Sequence, residues 1–267
     1  MKKPFNQYEG IDNLRAMQAA THYNGWLERR ISRLLKMRGP DAVVVDFGAG
    51  LGDMAKALSR RHPNQTFVCI EPDPLMRGAL LHRKEPHLTA IEQLNTVVGN
   101  SIDVVYTLNV LEHIREDVDT LRQIRRVLKP GGIAIIYVPA FPVLFSAMDR
   151  KVGHWRRYRH DVLLGRIRAA GLVRQSARYV DCLGFFAALA YRRMHGNGDL
   201  SPQAMAVYDR WIWPVSCVLD WIFSPFFGKN LWMVVVKPTP GSRRIHEPCR
   251  AVTPKSRPAF QPLVSQP

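Results

Sequence analysis

The feature that most constrains this chain is a continuous apolar run that contains one acid and leads directly into a glycine-rich loop. Residues 42–47 read AVVVDF and lie between Pro40 and Gly48. A β-branched run of this length predicts a strand that is buried on both faces of a parallel sheet. Gly48, Gly50 and Gly52 follow at every second position, where they let the backbone pass close to a ligand. This combination is typical of a ligand-binding α/β protein.

The alternation of strand and helix continues along the chain. Further strands are predicted at residues 66–70, 88–91, 102–107, 133–138, 174–180 and 231–236, and helices at 53–61, 74–82, 117–128 and 161–170. Strands that alternate with helices form βαβ units around a parallel sheet. We therefore predict an α/β fold with a doubly wound, Rossmann-like sheet of seven strands and helices on both faces.

Composition divides the chain into three parts, namely residues 1–41, 42–237 and 238–267. The first part has apolar residues at helical spacing and is predicted to form one or two helices. The second is the α/β domain. The third has seven prolines, five basic residues and one acid. It cannot build an apolar core, so we predict that it is disordered.

An insertion at residues 185–229 precedes the last predicted strand and is rich in aromatic residues. Its longest apolar stretch is interrupted by Pro214, Asp220 and Pro225, so it is not expected to span a membrane. The insertion is predicted to be partly helical. It is interpreted as a lid over an apolar or lipid-linked ligand, as a surface that contacts anionic membrane, or as an ordinary small core.

The overall charge and the cysteines limit which binding partners and which cellular location we expect. The net charge is +16, which fits nucleic acid, an anionic membrane surface or an anionic substrate. No recognised nucleic-acid-binding module is present, so nucleic acid is not the expected partner. The four cysteines are too dispersed for a C-x-x-C pair, and no apolar signal region follows Met1. A cytoplasmic location, in part peripheral at the membrane, is expected.

Asp53 and Glu71 limit the classes of ligand that the glycine loop could bind. A dinucleotide fingerprint would place its third glycine where this chain has Asp53, so a nicotinamide-dependent oxidoreductase is disfavoured. Glu71 ends the second predicted strand, where a doubly wound fold places an acid that accepts hydrogen bonds from ribose hydroxyls. The alternative for Glu71 is an ordinary solvated acid in a turn.

Residues 107–114, TLNVLEHI, follow the fourth predicted strand. The D-x-G-x-G-x-G loop, the acid of the second strand and this LEHI segment occur here in the order seen in class I S-adenosylmethionine-dependent methyltransferases. The chain resembles in particular the group that contains the ubiquinone and menaquinone biosynthetic enzymes. The resemblance covers residues 42–138 and implies S-adenosyl-L-methionine as the cofactor.

The resemblance also implies roles for individual residues of the cofactor site. Asp46, Gly48, Gly50 and Gly52 would surround the methionine part, and Asn109 would lie beside its end. Glu71 would hold the ribose and Glu92 would lie near the adenine, although Gln93 or Leu94 are alternatives for that last position. The leading helices, residues 1–41, would cap the cofactor. Glu112 and His113 are interpreted as a helix-start acid and a packed histidine, with a catalytic role as the alternative.

A second motif follows the fifth predicted strand, where the resemblance places the acceptor site. Residues 149–158 read DRKVGHWRRY and look like a D-x-x-x-G-H-x-R-R-Y segment of one branch of these enzymes. His154 is the candidate catalytic base, and Arg156, Arg157 and Tyr158 are candidates for binding the acceptor. The alternative is that the arginines are solvated and His154 braces the loop.

The expected reaction is direct displacement of the methyl group onto a small-molecule or lipid-linked acceptor, with oxygen as the expected acceptor atom. It requires no metal, and the sequence shows no convincing metal-ligand cluster. The alternatives are a nucleic-acid or protein methyltransferase, and a non-catalytic module that keeps the cofactor pocket. Residues 107–110 lack the Asn/Asp-Pro-Pro-aromatic segment expected for methylation of base amino groups.

Overall fold

The computed structural model describes residues 17–82, 85–193 and 202–241. Their strands form one seven-stranded sheet in the order β3-β2-β1-β4-β5-β7-β6. The strands are β1 (Val43–Phe47), β2 (Thr66–Ile70), β3 (Leu88–Ile91), β4 (Ile102–Leu108), β5 (Leu128–Pro139), β6 (Val173–Val180) and β7 (Asn230–Val236). Strands β1 to β5 are parallel, whereas β7 runs antiparallel to both of its neighbours, β5 and β6. The predicted doubly wound α/β fold is confirmed.

Helices cover both faces of the sheet. They are α1 (Thr21–Lys36), α2 (Asp53–Arg61), α3 (Pro74–His82), α4 (Asp117–Val127), α5 (Ala147–Lys151), α6 (His160–Ala169), α7 (Cys182–Arg193), α8 (Pro202–Val207) and α9 (Trp213–Phe223). A π-helical turn, Tyr208–Ile212, joins α8 to α9. None of the helices in the described ranges is long and apolar enough to cross a bilayer.

Two apolar cores form because successive residues of a strand point to opposite faces of the sheet. Val45 belongs to a core that also contains buried residues of α4 and α6. Its neighbour Val44 belongs to the core under α1, where Leu27, Ile31 and Leu35 are spaced at helical intervals. Both valines are fully buried, as the continuous apolar run predicts.

The insertion between β6 and β7 contacts the sheet and α1 rather than standing apart. Trp213 is buried, and its ring packs edge-on against Tyr23 at 5.0 Å between centroids and against Trp26 at 5.6 Å. Trp213 therefore belongs to the protein interior, because α1 covers it.

A buried carboxylate ties the insertion to the start of α1. Asp209 accepts hydrogen bonds from the backbone N–H groups of His22 at 2.8 Å and Tyr23 at 2.9 Å. These are free donors of the first helical turn, so Asp209 caps α1 from a distant part of the chain. The helix end has no capping side chain of its own. The remaining leading residues, 1–16, lie outside the described part of the chain, as do residues 242–267 of the tail predicted at 238–267.

Candidate functional site

A cavity of about 1610 Å³ lies at the carboxyl edge of the parallel strands. Ligand sites of doubly wound sheets occur at this edge, where the strand order reverses, and here the reversal falls between β1 and β4. One end of the cavity is lined by the loops after β1 and β2. The other end is lined by residues that follow β5 and precede β7, including His154, Arg157 and Lys229. We call these the cofactor end and the acceptor end.

The glycine loop needs glycine for conformational and steric reasons. Gly48, Gly50 and Gly52 all have positive φ angles, of 80°, 55° and 76°. A Cβ atom on Gly48 would lie 2.4 Å from Val110 Cγ2, and one on Gly52 would lie 1.9 Å from a methyl group of Leu80. The backbone of this loop can therefore approach a ligand and still pack against its neighbours. Gly48 and Gly50 line the cavity, and Gly52 is the N-cap of α2.

Glu71 lies at the end of β2 and lines the cofactor end. Its carboxylate accepts hydrogen bonds from the backbone N–H groups of Gly50 at 2.7 Å and Asp73 at 3.0 Å. Burial raises the pKa of Glu71, and these two hydrogen bonds oppose the shift. Glu71 is thus fixed against the glycine loop, at the position for which the sequence predicts a ribose contact.

Asp46 lies beneath the loop and does not line the cavity. Its carboxyl group is buried and accepts a hydrogen bond from the Tyr106 hydroxyl at 2.8 Å. Burial raises its pKa to about 7, although the Tyr106 hydrogen bond acts in the opposite direction. Asp46 supports the loop from below, and its direct contact with a cofactor stays a prediction.

The two remaining cofactor candidates differ in position. Asn109 follows β4, lines the cavity and has a positive φ of 54°, a conformation that asparagine tolerates better than most residues. Glu92 lies outside the cavity with a largely exposed side chain, 3.3 Å from the guanidinium of Arg77. The contact of Glu92 with adenine stays a prediction that the side-chain position does not support.

At the acceptor end, Asp149 holds the two most important side chains of the second motif. Its carboxylate lies 2.7 Å from Nδ1 of His154 and accepts hydrogen bonds from Arg157 Nε at 2.8 Å and Nη2 at 2.9 Å. Burial alone would raise the pKa of Asp149, but the hydrogen bonds from His154 and Arg157 and the charge of Arg157 hold it well below its usual range. A charged Asp149 favours a proton on Nδ1 of His154, which leaves Nε2 able to accept one.

Glu112 and His113 lie beside His154, which the sequence did not indicate. Glu112 is fully buried, and neither of its carboxyl oxygens accepts a hydrogen bond from a neighbouring residue among those described; Oε1 lies 3.8 Å from His154 Nε2. Burial raises the pKa of Glu112 to about 8 and lowers that of His113 to about 4. One donor atom from each of the three residues falls within 4.8 Å of the others, so they can share a proton or a cation.

Arg156 and Tyr158 bind the buried carboxylate of Asp117 and do not line the cavity. The Asp117 carboxylate accepts hydrogen bonds from Arg156 Nη1 at 2.8 Å and from the Tyr158 hydroxyl at 2.7 Å, and it also pairs with Arg166. These contacts fasten the loop to the start of α4. The structure therefore gives Arg156 and Tyr158 a bracing position and does not place them at the acceptor end, in contrast to the expectation from the motif.

Comparison with known proteins agrees with this geometry. Residues 45–134 match a protein-family model described as "Methyltransferase domain". This matched segment is similar to class I S-adenosylmethionine-dependent methyltransferases. The ubiquinone biosynthesis O-methyltransferase of Pseudomonas aeruginosa (strain UCBPP-PA14) is 33% identical over 96 residues, which cover 33% of this chain and 40% of that enzyme. The matched part thus spans less than half of the relative's length.

Two solved structures share the fold of this methyltransferase domain. The geranyl diphosphate C-methyltransferase of Streptomyces coelicolor A3(2), in complex with Mg²⁺, geranyl diphosphate and S-adenosyl-L-homocysteine, has a TM-score of 0.54 at 14% identity, over 80% of this chain and 81% of that one. The phosphoethanolamine N-methyltransferase 2 of Haemonchus contortus, in complex with S-adenosyl-L-methionine, has a TM-score of 0.53 at 17% identity, over 77% and 51%. At these identities the likeness shows the fold.

Proposed function

We propose that this protein transfers the methyl group of S-adenosylmethionine to an oxygen atom of a small-molecule or lipid-linked acceptor. The observation that carries the proposal is a single cavity with the glycine loop and Glu71 at one end and the Asp149–His154 pair at the other. The matched O-methyltransferase adds support for oxygen as the acceptor atom.

In this reaction the protein has two tasks: to align the acceptor oxygen with the methyl group and to remove one proton from the acceptor. Attack by the acceptor oxygen forms the new C–O bond as the C–S bond of the sulfonium breaks, which leaves S-adenosylhomocysteine. The acceptor hydroxyl proton passes to Nε2 of His154, and Asp149 stabilises the imidazolium through Nδ1. Apolar side chains such as Leu144, Met148 and Val152 line this end of the cavity and limit the access of water.

Calorimetry with S-adenosylhomocysteine and mass spectrometry of extracts incubated with isotopically labelled S-adenosylmethionine test the proposal. Label in a small-molecule or lipid fraction supports it. Label in protein or nucleic acid instead assigns the corresponding alternative acceptor. Cofactor binding with no labelled product indicates a non-catalytic module, and no binding of either cofactor form by the folded protein refutes the proposal.

His154 provides the sharper test once a labelled product is known. His154→Gln should keep the affinity for S-adenosylhomocysteine but lower turnover by about 10²–10⁴-fold, the usual contribution of a general base. The matched control is His160→Gln, because His160 lies outside the cavity next to Arg174. An equal loss of turnover in both variants would show that His154 is not the general base.

We also propose that the insertion contacts an anionic membrane surface. Trp221 is 88% exposed, and Trp211, Val215, Val218 and Phe226 are each more than half exposed. Such a concentration of exposed apolar residues is unusual for a protein surface that faces only water. Arg192, Arg193 and Arg210 lie in the same insertion and would attract anionic lipids.

A further inference from the structure

The charges around the acceptor end are unequal. The charged acids that line the cavity belong to the cofactor end and are Glu28, Asp53, Glu71 and Asp73. At the acceptor end the lining carboxyl group is Glu112, and burial raises its pKa to about 8, which disfavours its charged form. The cationic lining residues there are Arg157 and Lys229. The cationic side chains of this end therefore line the cavity, whereas the carboxylate of Asp149, which binds Arg157, does not.

Lys229 is held by its backbone, and its side chain has no partner in the described part of the chain. Its N–H donates to the Asp181 carbonyl at 2.9 Å, and its carbonyl accepts from the Ala140 N–H at 2.9 Å. The ammonium group forms no hydrogen bond or ion pair with the residues that the structure describes. Burial lowers the pKa of Lys229, the charges of Asp181 and Asp149 oppose this shift, and the charge of Arg157 adds to it. Lys229 and Arg157 both line the acceptor end of the cavity.

Arg157 supplies a second unused donor at the acceptor end of the cavity. Two of its three guanidinium nitrogens bind Asp149, which fixes the plane of the group. The third, Nη1, is buried and lacks a hydrogen-bond partner among the described residues. A buried, unsatisfied donor on a charged group is costly, and two neighbouring cations add repulsion. An anion between Lys229 and Nη1 would relieve both penalties.

We propose that Lys229 and Nη1 of Arg157 form an oxyanion subsite, and that the acceptor carries a carboxylate or phosphate group there. This inference rests on the proposed methyl transfer and specifies its acceptor class. Asp149 binds both Arg157 and the candidate base His154, so the subsite and the base are held at a fixed separation. The methylated hydroxyl and the anionic group of the acceptor would therefore lie next to two residues that Asp149 holds together.

The rest of the acceptor is apolar. Beyond the subsite, the cavity is lined by Leu144, Ala187, Ala188 and Met205, which come from the turn after β5 and from the insertion. These side chains offer no charge to a ligand. An acceptor with a hydroxyl group and an oxyanion at one end and a hydrocarbon part at the other fits this distribution.

Matched amphiphiles test the subsite on the full-length protein saturated with S-adenosylhomocysteine. The probes are decanoate, decyl phosphate and 1-decanol, below their micelle concentrations, and binding is measured by calorimetry. At least one anionic probe should bind more tightly than 1-decanol, and the stronger of the two identifies the oxyanion. Lys229→Gln should weaken anionic-probe binding by roughly tenfold or more, because a charged hydrogen bond is lost, and leave 1-decanol unchanged.

Lys36→Gln is the control for net charge, because Lys36 is exposed and lies outside the cavity. Equal binding of all three probes, or equal losses in both variants, would overturn the oxyanion subsite while leaving methyl transfer intact. Failure of the wild-type protein to bind S-adenosylhomocysteine would instead overturn the proposed function. Acetylation of the wild-type protein gives a measurement that needs no variant: decyl phosphate should protect Lys229, and protection by 1-decanol alone would contradict the subsite.

Discussion

At the scale of single residues, Glu71 makes the most direct prediction about the cofactor. Glu71→Gln should weaken S-adenosylhomocysteine binding by about 1–3 kcal/mol, because ribose hydroxyls lose a charged acceptor. Gly50 and Asp73 donate to different carboxylate oxygens, so the single amide oxygen of Gln can keep only one of these two backbone hydrogen bonds, which weakens the site further. Calorimetry measures the change, with Glu116→Gln as the control at an exposed acid. Unchanged affinity in Glu71→Gln would move the ribose site elsewhere.

Asp46 predicts a dependence of stability on pH. Its pKa is about 7 in the folded protein against 3.8 ordinarily, so the folded state binds the proton more tightly than the unfolded state. The contribution of Asp46 to the free energy of unfolding should therefore fall as the pH rises from about 4 to about 7 and level off above that.

Asp46→Asn removes the titrating group and keeps its shape. The variant should gain about 2 kcal/mol of unfolding free energy relative to the wild type at pH 8, and show little gain at pH 4. Urea denaturation at the two pH values gives both numbers. Asp41→Asn, at an exposed acid, should show neither effect. A gain at pH 8 that persists undiminished at pH 4 would mean that titration of Asp46 is not its cause.

The sequence predicts some of these residues better than others for a physical reason. Glycines with positive φ and an acid at a strand end leave a local pattern, and Gly48, Gly50 and Glu71 lie where that pattern indicates. The acceptor end is assembled from separate segments, so Lys229 has no neighbouring motif. The sequence also does not show that Arg156 binds Asp117 outside the cavity while Arg157 binds Asp149 and lines the cavity.

At the scale of elements, the cap on α1 makes a prediction about stability. Asp209→Ala should lower the free energy of unfolding by about 1–2 kcal/mol, because the N–H groups of His22 and Tyr23 lose their acceptor. Urea denaturation measures the loss. The control is Asp161→Ala, an exposed acid in the first turn of α6 whose removal should cost less than about 0.5 kcal/mol. Similar values for the two variants would contradict the capping role.

The elements themselves were largely predictable, because strands buried on both faces and amphipathic helices carry distinct periodicities. The predicted strand at residues 102–107 corresponds to β4, which ends one residue later, and the predicted strand at 231–236 begins one residue earlier as β7. The insertion was harder, because an aromatic-rich segment does not reveal which side faces the protein. Trp213 turns inward and Trp221 outward although only eight positions separate them.

At the scale of the whole molecule, the exposed aromatic surface predicts binding to anionic vesicles. The full-length protein should sediment with liposomes that contain phosphatidylglycerol, and less with neutral ones, because the basic residues add about 1 kcal/mol each near a charged surface. High salt should reduce the binding. Replacing Trp221 and Val218 together by serine should release the protein into the supernatant.

The matched control replaces Met37 and Val98 by serine, since both are equally exposed but lie outside the insertion. This double variant should sediment like the wild type. If the wild-type protein stays in the supernatant at every salt concentration, membrane contact is wrong. If both double variants sediment equally, the aromatic surface is not responsible for the binding.

The position of β7 determines when β6 can join the sheet during protein synthesis. Strand β7 is the last strand in the described part of the chain, yet it lies between β5 and β6 and pairs with both. During synthesis, β6 leaves the ribosome with no sheet partner until about fifty further residues have been added. A nascent chain arrested before Asn230 should therefore hold β1 to β5 together while Val173–Val180 and the insertion remain open to chaperones and proteases.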